Sequence, residues 1–267
     1  MSKQTVLQPN PANPFIGRAA ANDRAHEGTA GSVKSRHYFA NPMTLSFIRG
    51  RLQMSVHVVA SKLHFGLTNY RHPIRAAQLS SITRARSIAY TATTPLECIE
   101  IQNAVQATQK VPGEMAEVGV FRGGSAAVIL NASHGRHLHL FDTFAGLPTA
   151  GDYLKKGEYA GSREDVARNL AAYTDRISLH PGLFPEDTAH VVEGLRFSFV
   201  HLDMDLYGGT LGALRFFWPR MNPGGILVSH DYPLLSGVVR AFQEFFSDQP
   251  ACFMPLSGQQ CMAVKIT

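Results

Sequence analysis

EMAEVGVFRGGSAAVILNA, Glu114–Ala132, is the stretch that decides the fold. It opens on a short apolar run, 114–120, and continues from Gly124 into an apolar stretch of helix-forming residues. Between the two stand Gly119, Gly123 and Gly124, which let the backbone turn tightly and approach another group closely. A strand that turns through glycine into a helix leaves the first helical N–H groups free to face whatever sits at the turn. The spacing is not G-x-G-x-x-G, because Glu117 occupies the place of the first glycine. A carboxylate there suits a cationic ligand better than a pyrophosphate. A tight turn that binds nothing is the plainer alternative.

Outward from this unit the rhythm repeats. Short apolar runs at 137–142 (HLHLFD), 177–180 (ISLH), 197–203 (FSFVHLD) and 225–230 (GILVSH) alternate with helical patterns near 124–132, 163–173, 187–193, 209–218 and 237–247. Strands joined by helices imply a parallel sheet buried on both faces. The tail departs from that rhythm: CFMPL (252–256) and CMAVKIT (261–267) are separated only by Ser257-Gly258-Gln259-Gln260, and a connection so short demands an antiparallel pair. The expected architecture is α/β: seven strands, mostly parallel, helices on both faces, and a closing antiparallel strand. Upstream, residues 80–110 read as helical, with a helix start at Thr94-Pro95-Leu96-Glu97 and a stop at Pro112-Gly113.

Charge divides the chain. The formal net charge is +5, yet residues 1–90 hold 12 Lys and Arg against Asp23 and Glu27, which leaves 13 basic and 18 acidic residues for the remainder. Residues 1–40 are rich in Ala, Asn, Pro, Gly, Ser and Arg without apolar periodicity and read as a disordered basic segment. Residues 41–110 read as a helical extension, and 111–267 as the main domain. Within the extension, Phe47, Ile48, Leu52, Val56, Val59, Leu63 and Phe65 recur at helical spacing among Arg49, Arg51 and Lys62. This basic amphipathic helix packs on the protein itself or on a second subunit, as in a homo-oligomer; the sharper alternative is peripheral contact with an anionic membrane through residues 43–70. No nucleic-acid-binding motif is recognisable. No apolar run reaches the length of a transmembrane helix, and no signal peptide is expected. Three cysteines, Cys98, Cys252 and Cys261, are too few for a disulfide framework and point to a reducing compartment, the cytoplasm.

In an open parallel sheet, ligands bind beyond the carboxyl ends of the strands. Asp142 ends the second strand, 23 residues after Gly119, about where an acidic residue takes ribose hydroxyls; helix capping is the alternative. The fourth strand runs out through His201-Leu202-Asp203-Met204-Asp205-Leu206-Tyr207. Strand alternation puts Asp203 and Asp205 on one face. Two ionised carboxylates so close repel each other, and a bound cation removes that penalty. The fifth exit, Ser229-His230-Asp231-Tyr232, adds an imidazole and a third carboxylate. Oxygen ligands suit Mg²⁺, Ca²⁺ or Mn²⁺; separate capping and turn duties for each aspartate are the plainer reading. His134, His137, His139, His180 and His190 lack a ligand-like arrangement.

The strings EVGVFRGGS, FDTFAGLP, HLDMDLYGGT, NPGGILVSHDY and GQQCMAVKIT together resemble the macrocin O-methyltransferase-like family over roughly residues 80–267. These are Rossmann-like class I S-adenosylmethionine-dependent methyltransferases, several of which methylate sugar hydroxyls of glycosylated natural products. The resemblance implies that Glu117, Gly119, Gly123, Gly124 and Ser125 hold the methionine part of S-adenosyl-L-methionine and that Asp142 holds its ribose. It also implies that Gly182 and Phe184, in Gly182-Leu183-Phe184, line the adenine. Asp203 and Asp231 would bind a divalent cation, usually Mg²⁺, and Asp205 would be the general base. Relatives usually carry two consecutive acids where this chain has His230-Asp231. Imidazole favours Mn²⁺, Fe²⁺ or Zn²⁺ over Mg²⁺, so either the metal differs or His230 moves a proton instead. The expected acceptor is a sugar or glycoside hydroxyl. A catechol-like phenol is the nearest rival. The acid cluster argues against a non-catalytic cofactor-binding module, and Glu117 against a nicotinamide-dependent oxidoreductase.

Overall fold

The computed structural model describes residues 73–267. The expectations for the disordered segment, for the 43–70 helix and for its subunit or membrane contact lie outside the described residues.

Among the described residues, the first two helices are α1 (Pro73–Ile88) and α2 (Pro95–Ala107). Helix α2 starts where the sequence indicates: Thr94 accepts from the Glu97 N–H at 3.4 Å, the Glu97 carboxylate accepts from the Thr94 N–H at 2.8 Å, and Pro95 stands in the first turn. This reciprocal pair satisfies two backbone donors that a helix start otherwise leaves free. The alternating body follows: β1 (Glu114–Val118), α3 (Gly124–Ala132), β2 (Leu138–Asp142), α4 (Arg163–Asn169), β3 (Ile177–Pro181), β4 (Phe197–Leu202), α5 (Tyr207–Phe217), β5 (Met221–His230) and α6 (Ser236–Phe246). A closing hairpin, β6 (Ala251–Pro255) and β7 (Gln260–Lys265), ends the chain.

Two helical expectations are revised. The 163–173 helix stops at Asn169 and is followed by a 3₁₀ segment over Ala171–Arg176, while 187–193 forms only a 3₁₀ turn, Ala189–Val192. Each segment buries little of itself (Val166 in the first; Ala189 and Val192 in the second), too small an apolar stripe to extend a regular helix.

The seven strands lie in the order β3-β2-β1-β4-β5-β7-β6. Strands β1 to β5 are mutually parallel, and β7 runs antiparallel between β5 and β6. Apolar side chains fill both faces. On one, Ile82 of α1, Ile99 and Ile101 of α2 and Ile129 of α3 pack with Met115, Leu138, Phe199 and Val228. On the other, Phe217 of α5 and Phe242 of α6 pack with Phe141, Phe197 and Leu227. The chain reverses its direction of travel across the sheet between β1 and β4, so their carboxyl ends diverge around a crevice. Among the described residues, no helix is long and apolar enough to cross a membrane.

Candidate active site

A cavity of about 310 Å³ opens at that crevice. Of the residues singled out in the sequence, Gly119, Gly124, Ser125, Asp142, Gly182, Phe184, Asp203, Asp205, His230 and Asp231 line it; Glu117 and Gly123 do not. Gly123 (φ 85°) is the N-cap of α3, and its left-handed backbone turns the chain into the helix.

Gly119 is demanded by the protein itself. The Asp203 N–H donates to the Val118 carbonyl at 2.8 Å, and a Cβ at Gly119 would lie 1.8 Å from the Asp203 carbonyl oxygen. The glycine therefore lets the β1 and β4 exits cross in contact. Asp142 ties the β2 exit to the same turn: Oδ2 accepts from the N–H groups of Val120 and Phe121 at 2.7 and 2.8 Å, and Oδ1 accepts from Phe144 at 2.7 Å.

Glu117 is completely buried beneath the turn, its Oε1 2.9 Å from Nδ1 of His201. Its Oε2 has no hydrogen-bond partner among the described residues, and neither has Nε2 of His201. Burial pushes the Glu117 carboxyl above its usual range, against the lowering pull of His201 and Ser125. Phe184 closes one wall, stacked on Phe217 at 5.0 Å and edge-on to Phe141 at 4.8 Å.

The acids converge, but not by strand alternation. Strand β4 ends at Leu202, and Asp205 reaches the cavity through a left-handed turn (φ 62°). Asp231 sits in the same region (φ 61°) just past β5. Non-glycine residues held there carry backbone strain that the surroundings must impose. Nδ1 of His230 stands 3.3 Å from Asp203 Oδ1 and 3.1 Å from Asp231 Oδ1. One donor atom from each of Asp203, His230 and Asp231 falls within 4.8 Å of the others.

The electrostatics follow from that crowding. Burial raises Asp205, the charges of Asp203 and Asp231 reinforce it, and the pKa reaches about 9. Burial works against ionised Asp203 too, but the adjacent His230 outweighs it and holds that carboxyl below its usual range. Burial likewise disfavours a charged His230, yet Asp203, Asp231 and Glu97 overcome it and hold the imidazolium far above its ordinary value.

Three groups of lining residues escaped the sequence reading: Tyr90, Thr91 and Ala92 of the α1–α2 loop; Met204 and Leu206; and part of the loop 143–162, including Leu147 and Tyr159. That loop closes on itself, with Leu147 and Glu158 paired N–H to carbonyl at 2.9 Å and Leu147 and Leu154 buried. Its scattered apolar residues, Leu147 and Leu154 among them, were the hint.

Solved structures share this architecture. The O-methyltransferase NovP aligns with a TM-score of 0.58 and 24% identity over 66% of this chain and 84% of that one. The calicheamicin methyltransferase CalS11 aligns at 0.53 and 17% over 74% and 97%. The fold is that of the Rossmann-like methyltransferases. A family model described as Macrocin-O-methyltransferase (TylF) matches residues 63–258, and the chain belongs to that family. Among curated relatives, an 8-demethyl-8-(2,3-dimethoxy-alpha-L-rhamnosyl)-tetracenomycin-C 4'-O-methyltransferase of Streptomyces olivaceus is 33% identical over 46% of this chain and 54% of its own length. A mycinamicin III 3''-O-methyltransferase of Micromonospora griseorubida is 30% identical over 49% and 61%. The chain thus spans little more than half the length of the curated relatives it matches.

Proposed function

We propose that this chain is an S-adenosylmethionine-dependent O-methyltransferase acting on a hydroxyl of a sugar or glycosylated metabolite, with a divalent cation held by Asp203, Asp231 and His230. The observation that carries this reading is one cavity in which the Gly119–Ser125 turn and the Asp203, Asp205 and Asp231 carboxylates face each other. The relatives named for methylation of a rhamnosyl-tetracenomycin and of mycinamicin III support the acceptor class.

The residues fit both groups. The free N–H groups at the start of α3, beside the cavity-lining Gly124 and Ser125, suit the carboxylate at the methionine end of the cofactor, while Glu117, buried outside the cavity lining, braces the turn from beneath through His201. Asp142 Oδ1 accepts a single hydrogen bond and has a lone pair left for a ribose hydroxyl, and Phe184 with Gly182 offers a flat apolar wall for the adenine. Two carboxylates and one imidazole are a fitting donor set for a small divalent ion. When bound, the cofactor supplies a methyl group activated on a sulfonium, and the cation supplies the Lewis acidity that makes a hydroxyl more acidic.

The chain does the rest. Asp205 accepts the hydroxyl proton as the oxygen attacks. Added positive charge beside Asp203 and Asp231 lowers its raised pKa, so a loaded site favours Asp205 as a base. The turn at 119–125 and the closed loop at 143–162 hold the reactants aligned and keep water out.

The test is transfer of a labelled methyl group to a panel of glycosides and catechols, with and without Mg²⁺ or Mn²⁺. Label on a glycoside hydroxyl is expected; label confined to catechols, or none, overturns the acceptor assignment. Asp205→Asn should lower turnover about 10²- to 10⁴-fold while S-adenosylhomocysteine binds as before. Near wild-type turnover would remove Asp205 from its role.

The finer assignments follow the same reading. Residues 1–40 are a basic segment, 41–110 an extension that shapes the acceptor side and a homo-oligomer contact, and 111–267 the catalytic body; the cavity-lining Tyr90–Ala92 loop supports the second. Free Cys98, Cys252 and Cys261 support a cytoplasmic location.

A further inference from the structure

Glu97 does more than start a helix. A helix N-terminus needs its third residue only at the rim, yet Glu97 is 3% exposed and joins three distant segments. Its Oε1 accepts from the Gln259 N–H, in the β6–β7 turn, at 2.8 Å. Its Oε2 accepts from the N–H and hydroxyl of Thr94, both at 2.8 Å, and stands 3.6 Å from Nε2 of His230. The approach is close enough that a Cβ at Gly258 would lie 2.6 Å from Glu97 Oε1, so the turn carries glycine there. Glu97 thereby stands directly behind His230. Nε2 faces Glu97, and Nδ1 faces Asp203 and Asp231.

A ligating imidazole works through one nitrogen, and the group on its other nitrogen sets tautomer and ring orientation. Resting on the cation site proposed above, we propose that Glu97 is a positioning residue that holds the Nε2–H of His230 and turns Nδ1 to the cation beside Asp203 and Asp231, so that the site takes Mn²⁺ in preference to Mg²⁺. Position 230 carries an imidazole immediately before the Asp231 carboxylate. A carboxylate behind that imidazole is what a nitrogen donor needs and an acid ligand does not. Mg²⁺ keeps to oxygen ligands, whereas Mn²⁺ accepts mixed oxygen and nitrogen sets.

The experiment is calorimetric titration of the full chain with Mn²⁺ or Mg²⁺ alone, comparing wild type, Glu97→Gln, His230→Asp and the double variant. Glutamine serves in a capping box, so Glu97→Gln keeps the helix start; S-adenosylhomocysteine binding and circular dichroism check that it does. Wild type should bind Mn²⁺ more tightly than Mg²⁺. Loss of the outer carboxylate should weaken Mn²⁺ binding about 10- to 100-fold. In the His230→Asp background the same change should have no effect on either ion, because the residue through which Glu97 acts is gone. Should Glu97→Gln misfold, pulsed electron paramagnetic resonance of wild-type protein loaded with Mn²⁺ decides instead: a nitrogen coupling that His230→Asp removes supports the inference, and its absence overturns it. Unchanged Mn²⁺ affinity in Glu97→Gln, or an equal loss in both backgrounds, overturns the role of Glu97 and leaves the cation site standing. Wild-type protein that binds neither ion overturns both, while methyl transfer to glycosides stays a separate result.

Discussion

Gly119 shows how one residue serves two demands. Its φ of 89° is a left-handed conformation, and its missing Cβ is the space into which the Asp203 carbonyl fits. The close approach expected there from sequence is real, but the group that approaches is the neighbouring strand's own backbone. Gly119→Ala must therefore bear both the left-handed penalty, about 1–2 kcal/mol, and a forced separation of the β1 and β4 exits. The expected loss is about 3 kcal/mol or more in urea-induced unfolding, with cofactor binding impaired. An unchanged midpoint would mean that the two exits do not touch. Asp205 and Asp231 make the same point for side chains. Their left-handed backbones, invisible to strand periodicity, turn both carboxylates toward one cavity.

At the scale of elements, α2 is anchored at its first turn. Thr94 gives the helix a cap and holds the carboxylate of Glu97 in place. Thr94→Ala should cost about 1 kcal/mol of stability, read as a lower midpoint in thermal or chemical unfolding. A change within error would show that tertiary contacts, not the cap, hold the helix start. Sequence patterns located α2, α3, α5 and α6 well, because each has a strong apolar stripe or a cap signal. They overextended the segments at 163–173 and 187–193, where too few apolar residues are buried to support a longer helix. Beyond the string FDTFAGLP and a few apolar residues, the loop 143–162 carries no structural signal in the sequence. Its order comes from pairing with itself and from Leu147 and Leu154 reaching the core, neither of which is a local propensity.

The whole molecule carries a built-in sensitivity to acid. On the β2–β3 edge, far along the sheet from the aspartates, Nδ1 of His139 lies 3.1 Å from Nε2 of His180, with the His137 ring 4.9 Å from that of His139. Burial disfavours the His139 imidazolium, His137 and His180 add repulsion, and its pKa falls to about 4 from an ordinary 6.5. Between those two values the unfolded chain binds more protons than the folded one, so this stability is complete above pH 6.5 and is lost as pH falls toward 4. Thermal unfolding followed across that window should show a falling midpoint, and His139→Gln should flatten it. Parallel slopes would clear His139 of the effect. Glu97 acts in the next window down. Burial opposes its charge, but His230 and the Gln259 and Thr94 N–H groups prevail and lower its pKa to about 2 from 4.5, so its contribution disappears only below the histidine range.

What the sequence by itself determined is the alternation of strands and helices, the glycine turn after β1, and the acids at the strand exits. These are local matters, since periodicity, turn chemistry and the rule that ligands gather at carboxyl ends all act over a few residues. Only the tertiary structure decided that β7 slots between β5 and β6, that Glu117 turns inward to His201, and that Glu97 reaches across the fold to His230. The side-chain contacts join residues far apart in the chain, 84 positions in the case of Glu117 and His201. Their existence depends on which surfaces the packed sheet and helices bring together, and no local propensity encodes that.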